Sequence, residues 1–129
     1  MNAIAGAPVL LREGVFTEDA RRFRHALELH PRTAAGVNEP GDRLILVVVD
    51  GRQPGYSEGM TLEEVAEVLR RHGAWHAVNL DGGGSTTMAM EDPVTHAPGL
   101  VNASSDKDAA SGRPVGSSLA VFARPVPKP

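Results

Sequence analysis

The segment that most constrains this chain is MTLEEVAEVLRRHG, residues 60–73, because it carries both the start and the stop signals of a helix. Thr61 and Glu64 have the spacing of a capping box, and Gly73 follows a basic last turn. Apolar side chains define one face of this helix at Leu62, Val65, Ala66 and Leu69. The segment therefore predicts an amphipathic helix that packs this face against other elements.

Apolar strands are predicted before and after this helix. Five consecutive apolar residues, Leu44 to Val48, predict a central strand buried on both faces. RTAAGVN predicts the preceding strand, and the Pro-Gly pair between the two segments predicts a turn, so the two strands are expected to form a hairpin. AWHAVNL predicts a strand that ends at Asp81. We expect an α/β (α+β) fold, with a mixed β-sheet and two or more helices.

The remaining segments add less distinct elements. APVLL predicts a strand, and TEDARRFRHALELH predicts a helix capped by Thr17. That helix has its apolar side chains at Ala20, Phe23, Ala26 and Leu27. Further strands are predicted in STTMAM, at Leu100 and Val101, and in VGSSLAVFA, joined by polar loops. One domain of residues 1–123 is expected, followed by a Pro-rich, mobile tail at 124–129.

Composition excludes several classes of function. The chain has 129 residues, a formal net charge of −3 and no cysteine. Scattered basic residues argue against a nucleic-acid partner, and without cysteine there is no disulfide or thiolate chemistry. No apolar run reaches the ~20 residues of a membrane span, and the first residues do not resemble a signal peptide.

The loop NLDGGGSTTM, residues 79–88, places three glycines between a carboxylate and three hydroxyl side chains. Glycine is unfavourable in a run unless the backbone must approach another group closely. Backbone N–H groups, with Ser85, Thr86 and Thr87 as further donors, would form an anion-binding loop, although the lysine of a P-loop is missing. A tight turn between two strands is the alternative.

Charged residues flank the predicted strand ends. Asp50 and Asp81 each follow an apolar strand and precede glycine, which suits a pair of carboxylates for glycosyl chemistry or a simple Asp-Gly turn. Carboxyl groups roughly 5–5.5 Å apart would indicate retention, and roughly 6.5–9.5 Å inversion. Arg32, Arg52 and Arg113 are suited to phosphate, with solvent exposure as the alternative for each.

In order along the chain, four segments resemble the phosphodiester glycosidase family over residues 2–123. They are HPRTAAG, VVVDGRQPGYSEGMTLEEVAEVLRRHGAWHAVNLDGGGSTTM, VNASSD and RPVGSSLAVF. The resemblance implies hydrolysis of a sugar linked through its anomeric carbon to a phosphodiester, with Asp81 and Asp50 catalytic. The implied substrate- and phosphate-binding residues are Arg32, Thr33, Gly51, Arg52, Asn79, Gly82, Gly83, Gly84, Ser85, Thr86, Asn102, Ser105, Asp106 and Arg113.

Members of this family usually carry a preceding segment with an NGGFF-like stretch, and this chain starts at about the hairpin that follows it. Two alternatives to an enzyme are therefore considered: a non-catalytic phosphosugar- or glycan-binding module, and a self-associating domain. A sugar-phosphate small molecule or a glycan is the expected partner, and a homo-oligomer remains open. Family members are often secreted or on the cell surface, which leaves localisation undetermined.

No cofactor is expected. A divalent cation stays open, since the two aspartates with Asn102 or Asp106 offer oxygen ligands. His72 and His76 straddle Gly73, so we interpret them as structural or exposed and not as zinc ligands.

Overall fold

The computed structural model describes residues 3–106 and 113–123. Two α-helices and seven β-strands lie in this part of the chain. In chain order they are β1 (Val9–Arg12), β2 (Val15–Phe16), α1 (Glu18–Arg21), β3 (Arg32–Val37), β4 (Leu44–Val49), α2 (Leu62–Arg71), β5 (His76–Asn79), β6 (Ala89–Glu91) and β7 (Pro98–Leu100). A short 3-10 turn spans Gly83–Ser85.

Five of the strands form one sheet in the order β2-β1-β5-β3-β4, and β6 pairs with β7 in a separate hairpin. The predicted hairpin of β3 and β4 is confirmed, with Arg32 opposite Val49 and Val37 opposite Leu44. The α+β fold class is confirmed as well. All the described strand pairs are antiparallel, however, where a mixed sheet was expected.

This antiparallel arrangement decides where the ends of the strands meet. β3 runs opposite to both of its neighbours, with Arg32 beside Val49 of β4 and Ala34 beside Asn79 of β5. The carboxyl ends of β4 and β5 therefore lie at the same end of the sheet as the start of β3. Asp50 and Asp81 follow these two strands at this end of the sheet.

Helix α2 forms as predicted and contributes the centre of the core. Both halves of the capping box are present, with the Thr61 side chain accepting from the Glu64 N–H and the Glu64 side chain accepting from the Thr61 N–H. Leu62 and Leu69 are fully buried, together with β1 residue Leu10. Complete burial of a leucine contributes about 1.5–3 kcal/mol, so this face of the helix is a principal source of stability.

The predicted helix over residues 17–30 is wrong beyond its first turn. Thr17 accepts from the Ala20 N–H as an N-cap, but α1 ends at Arg21. His25 has φ +61°, a left-handed conformation that no α-helix accommodates. Instead of continuing a helical ladder, the carbonyls of His25 and Glu28 each accept a hydrogen bond from the Arg32 guanidinium at 2.8 Å. Of the predicted apolar face, two residues, Ala20 and Ala26, are buried, while Phe23 and Leu27 are exposed.

Two strand predictions also need correction. β4 lies at the edge of the sheet, and each of its residues is exposed or half-buried, so Leu44 to Val48 are not buried on both faces. VGSSLAVFA forms no strand ladder in the described residues 115–123, and Phe122 is 97% exposed. The first segment was predicted as a buried strand and the second as a last strand, although burial and pairing depend on distant partners that neither segment specifies.

The smaller elements were predicted in part. β6 begins at Ala89, within the STTMAM segment, and β7 ends at Leu100. The predicted tail at 124–129 lies outside the described residues, so the division into a domain and a tail stays a prediction. Over the described ranges, no helix has the length and apolar character needed to cross a membrane.

Candidate functional site

The glycine loop after β5 packs closely against the backbone of Pro31, which explains its glycines. A Cβ on Gly82 would lie 2.8 Å from the Pro31 carbonyl oxygen, so only glycine permits this close approach. Gly83 has φ +61° and donates its N–H to the same oxygen at 3.0 Å. The loop then closes with the Thr86 N–H donating to the Gly83 carbonyl at 3.1 Å. Two of the three glycines are thus required by the backbone itself.

Threonines attach this loop to the sheet. The hydroxyl of Thr33 in β3 donates to the Thr86 hydroxyl at 3.3 Å, and the Thr86 side chain is fully buried. The Leu80 N–H donates to the Thr33 carbonyl at 2.8 Å, just before the loop begins. Thr33 and Thr86, both predicted as binding residues, therefore attach the glycine loop to β3 through their side chains.

Two arginines from distant segments meet the glycine loop. A Cβ on Gly83 would lie 3.0 Å from Nη1 of Arg52, so this guanidinium rests directly on the loop backbone. Arg113 donates to the Ser85 hydroxyl from Nη2 at 2.7 Å and from Nε at 3.2 Å. Guanidinium groups keep their charge at any working pH and form paired hydrogen bonds with phosphate. The loop and its two arginines together form a cationic, donor-rich surface.

Asp50 is held by donors on three sides. The Ala103 N–H lies 3.1 Å from Oδ1 and 3.0 Å from Oδ2, and the Asn102 side-chain amide donates to Oδ1 at 3.0 Å. The Tyr56 hydroxyl donates to Oδ2 at 3.1 Å, and this contact with Asp50 raises the Tyr56 pKa above its ordinary value. A carboxylate has about four acceptor positions, so most of those on Asp50 are already occupied. Its geometry is that of a residue that holds loops in place.

Asp81 has a different environment. It is exposed at the start of the glycine loop, and within the described ranges no hydrogen bond or ion pair engages its carboxylate. Of the two predicted catalytic carboxylates, Asp81 is therefore the one whose oxygens are accessible to a ligand.

The loop after β7 forms another wall of the site. The Asn102 amide donates to the Thr86 carbonyl at 3.1 Å, and its oxygen accepts from the Met88 N–H at 2.7 Å. Asp106 approaches the glycine loop, since a Cβ on Gly84 would lie 3.5 Å from one Asp106 carboxylate oxygen. Ser105 belongs to the same loop and is half-buried. The structure thus brings Asp106 to Gly84 and Asn102 to Thr86, and no hydrogen bond of the Ser105 side chain is found among the described residues.

Other predicted binding residues make structural contacts. Arg32 is buried and donates from Nε to the Met60 carbonyl at 2.9 Å, in addition to its two bonds to the preceding loop. Burial, followed by the charge of Arg52, lowers the Arg32 pKa from its ordinary value. Gly51 allows a backbone crossing, since a Cβ there would lie 2.7 Å from the Pro31 nitrogen. Arg32 and Gly51 therefore stabilise the backbone next to the site.

Asn79 is buried in β5, and its amide donates to the carbonyls of Ala7 and Leu80, both at 2.9 Å. Its side-chain oxygen has no hydrogen-bond partner among the described residues. Asn79 therefore fastens the segment before β1 to the sheet, a role that the sequence did not indicate.

Several contacts at the site were missed by sequence reasoning. Tyr56 reaches Asp50 because the chain reverses at Gly55, which has φ +81°. Gln53 donates to the Ala103 carbonyl at 3.1 Å, and the Ser57 hydroxyl donates to the Asp50 carbonyl at 2.6 Å. The Pro-Gly pair in RQPGYS was the available signal, because it marks a turn that returns the next residues to the strand end.

The open possibility of a divalent cation at the aspartates gains no support from these contacts. The oxygens of Asp50 and the Asn102 amide oxygen already accept hydrogen bonds from the protein. A cation would have to displace these donors.

The family model for phosphodiester glycosidases matches residues 1–122. Two curated relatives are similar, both named N-acetylglucosamine-1-phosphodiester alpha-N-acetylglucosaminidase. The one from Mus musculus is 40% identical and the one from Bos taurus 39% identical, each over 67 residues, which is 52% of this chain and 12% of the relative. The chain thus spans about an eighth of the length of these relatives.

Solved structures show the same likeness. The zebrafish N-acetylglucosamine-1-phosphodiester alpha-N-acetylglucosaminidase catalytic domain, auto-inhibited by its pro-peptide, matches with a TM-score of 0.53 and 37% identity, covering 65% of this chain and 31% of that one. A hypothetical protein from Synechocystis matches with a TM-score of 0.52 and 33% identity, covering 63% of this chain and 15% of that one. With a family match across nearly its whole length, the chain belongs to the phosphodiester glycosidase family.

Proposed function

We propose that this chain hydrolyses a sugar-1-phosphodiester, releasing the free sugar and a phosphomonoester. The observation that carries the proposal is the meeting of Arg52 and Arg113 on the glycine loop, directly after the accessible carboxylate of Asp81. Membership of a hydrolase family agrees with this assignment, and so does the printed activity of the mouse and bovine relatives.

The phosphodiester group fits the cationic surface. Its anionic oxygens would accept from the two guanidinium groups, from the Ser85 hydroxyl and from the Gly84 N–H, since the N–H groups of Gly83, Ser85 and Thr86 donate to carbonyls of the loop and of Pro31. As the bond between the anomeric carbon and the phosphate oxygen breaks, negative charge accumulates on that oxygen. Fixed donors that meet this growing charge lower the barrier without a separate proton donor.

Asp81 is the group assigned to the anomeric carbon. It would either accept a proton from the attacking water or form a glycosyl intermediate that water then hydrolyses. In both routes the bridging oxygen leaves with the phosphate, and water supplies the new hydroxyl group of the sugar. Asp50, with its oxygens bonded to Asn102, Ala103 and Tyr56, would hold the loops in register instead of reacting.

The test is hydrolysis of a panel of sugar-1-phosphodiesters that includes UDP-N-acetylglucosamine, with release of free sugar as the readout. The Asp81→Asn variant keeps the size of the side chain and removes its charge, so we expect turnover to be lost while far-UV circular dichroism stays unchanged. Asp19→Asn, at an exposed position in the first turn of α1, is the matched control. Full activity in the Asp81 variant would refute the assignment.

A binding module is the second candidate, and the environment of Asp50 favours it. If this carboxylate only positions loops, the site offers one free carboxylate where glycosyl chemistry commonly uses two. Calorimetric titration with the same sugar phosphates separates the two cases. Binding that Arg113→Ala abolishes, with no product from any substrate, would identify a binding module.

Self-association is the third candidate, supported by the apolar edge of the sheet. Leu44 is 47% exposed and Leu46 is 36% exposed on edge strand β4. An open strand edge with apolar side chains favours pairing with another chain. Sedimentation velocity measures the oligomeric state, and Leu46→Lys should dissociate an assembly formed through this edge.

A further inference from the structure

Three potential metal ligands lie together on the loop between α1 and β3, where the sequence analysis assigned no function. The Nδ1 atom of His25 is 2.7 Å from one Glu28 carboxylate oxygen, and the Nε2 atom of His30 is 3.0 Å from the other. One ligand atom from each residue lies within 4.8 Å of the other two. The two imidazole rings stand edge to face, 5.7 Å apart.

The backbone holds these three residues in place independently of their side chains. Buried Arg32 binds the carbonyls of His25 and Glu28, both at 2.8 Å. His30 exchanges backbone hydrogen bonds with Met60, at 3.3 and 3.1 Å. A binding loop that is already ordered loses little conformational entropy when a ligand arrives. The side chains are accessible as well, since those of His25 and Glu28 are 41% and 56% exposed.

We propose that His25, Glu28 and His30 bind one divalent transition-metal ion, with zinc as the best match. Two imidazole nitrogens and a carboxylate are a common three-ligand set for zinc, with water in the fourth position. Imidazole selects zinc and its neighbours over magnesium or calcium. Tetrahedral ligands about 2.0–2.1 Å from zinc lie roughly 3.4 Å apart, so small side-chain rotations bring these atoms to the required separation.

Arg52 couples this site to the glycine loop. Its Nε–H donates to His30 Nδ1 at 3.3 Å, while its Nη1 rests on Gly83. A neutral imidazole carries one proton, so a metal at Nε2 leaves the proton on Nδ1. Nδ1 then no longer accepts from Arg52. Metal binding and the hydrogen bond from Arg52 to His30 are therefore mutually exclusive. Metal would remove this hydrogen bond from Arg52, which also belongs to the proposed phosphate site.

The test measures Zn²⁺ alone, by competition between the protein and a chromophoric chelator. We expect one equivalent to bind, with affinity lowered at least tenfold in His25→Ala and in Glu28→Gln, since even outer partners of a ligand change affinity by about 10–100-fold. Glu28→Gln keeps hydrogen-bonding capacity, and circular dichroism checks that each variant is folded. His96→Ala is the control, because His96 also contacts a glutamate, Glu91, at 2.5 Å, but no third ligand joins them among the described residues. Absence of stoichiometric binding, or an equal loss in the control, overturns the site.

A second variant tests the coupling to Arg52. Arg52→Ala removes the competing hydrogen bond, which contributes about 0.5–1.5 kcal/mol, so zinc affinity should rise by about twofold to tenfold. A fall in affinity would overturn the assignment of His30 Nε2 as the ligand atom. Co²⁺ in place of Zn²⁺ supplies an independent readout. In the unaltered protein, its visible absorption should have the strong bands of a Co²⁺ ion with few ligands, and Glu28→Gln should lose these bands.

Discussion

Replacing buried Arg32 with methionine should destabilise the protein more than any exposed arginine change. The guanidinium donates three hydrogen bonds to backbone carbonyls, those of His25, Glu28 and Met60, at 2.8–2.9 Å. Methionine fills a similar volume and removes all three donors. The variant therefore removes the shortest hydrogen bonds to these carbonyls, and those of Met60 and His25 keep longer ones, from the His30 N–H at 3.3 Å and the Glu28 N–H at 3.4 Å.

The expected magnitude follows from these contacts. Hydrogen bonds from a charged group contribute about 1.5–3 kcal/mol each, which sets an upper bound of roughly 9 kcal/mol for three. Burial of the guanidinium costs part of this amount, since desolvation already lowers the Arg32 pKa. A carbonyl that loses its donor costs about 1–3 kcal/mol, so we expect a loss of about 3–5 kcal/mol for the three together. Domains are stable by only about 5–15 kcal/mol, so the effect is large.

Urea denaturation measures the free energy of unfolding, followed by the fluorescence of Trp75, the single tryptophan of the chain. Arg22→Met is the control, because the Arg22 side chain is 82% exposed and contacts Glu18 only at 3.7 Å. Arg32→Lys should recover little stability, since an ammonium group lacks the planar fork that serves several carbonyls. A loss in Arg32→Met no larger than in the Arg22 control would refute the reasoning.

Three further predictions concern the backbone, a tyrosine and a helix cap. In Gly59→Ala, a methyl group at φ +107° would lie 2.5 Å from a neighbouring carbonyl carbon, so urea denaturation should show a loss of more than about 1 kcal/mol. Gly41→Ala, at φ +76° but with open space around it, should lose less, and equal losses would contradict the clash. Absorbance titration of Tyr56, the only tyrosine, should give a pKa above the ordinary ~10 that falls in Asp50→Asn; an unchanged pKa would exclude the hydrogen bond. Thr61→Ala should cost about 1 kcal/mol of unfolding free energy by loss of the N-cap, and no loss would show that the cap is dispensable.

Local signals predicted what local interactions build. The capping box, the apolar face and Gly73 all lie within residues 60–73, and α2 follows them. The hairpin of β3 and β4 was likewise predictable from a Pro-Gly turn between two strand-forming segments. In both cases the residues that determine the structure are neighbours in the chain.

The failures depend on distant partners. α1 ends at Arg21, and Arg32, which lies beyond the predicted helix, binds the carbonyls of His25 and Glu28 in the loop that follows. β4 is an edge strand because β5 pairs with the other side of β3, a choice that the LILVVV run does not record. At the site, sequence indicated the glycine loop, but only the structure separates a bonded Asp50 from an accessible Asp81.

The strand order also determines in which order parts of the sheet can form while the chain is synthesised. β5 lies between β1 and β3, which do not pair with each other in the five-stranded sheet. In a nascent chain that ends before residue 76, the described strand pairs that can form are β1 with β2 and β3 with β4. β5 joins them, and the residues emerging directly behind it are Asp81 and the glycines. β5 thus completes the five-stranded sheet, and Arg113 reaches the glycine loop only after a further stretch of chain has emerged.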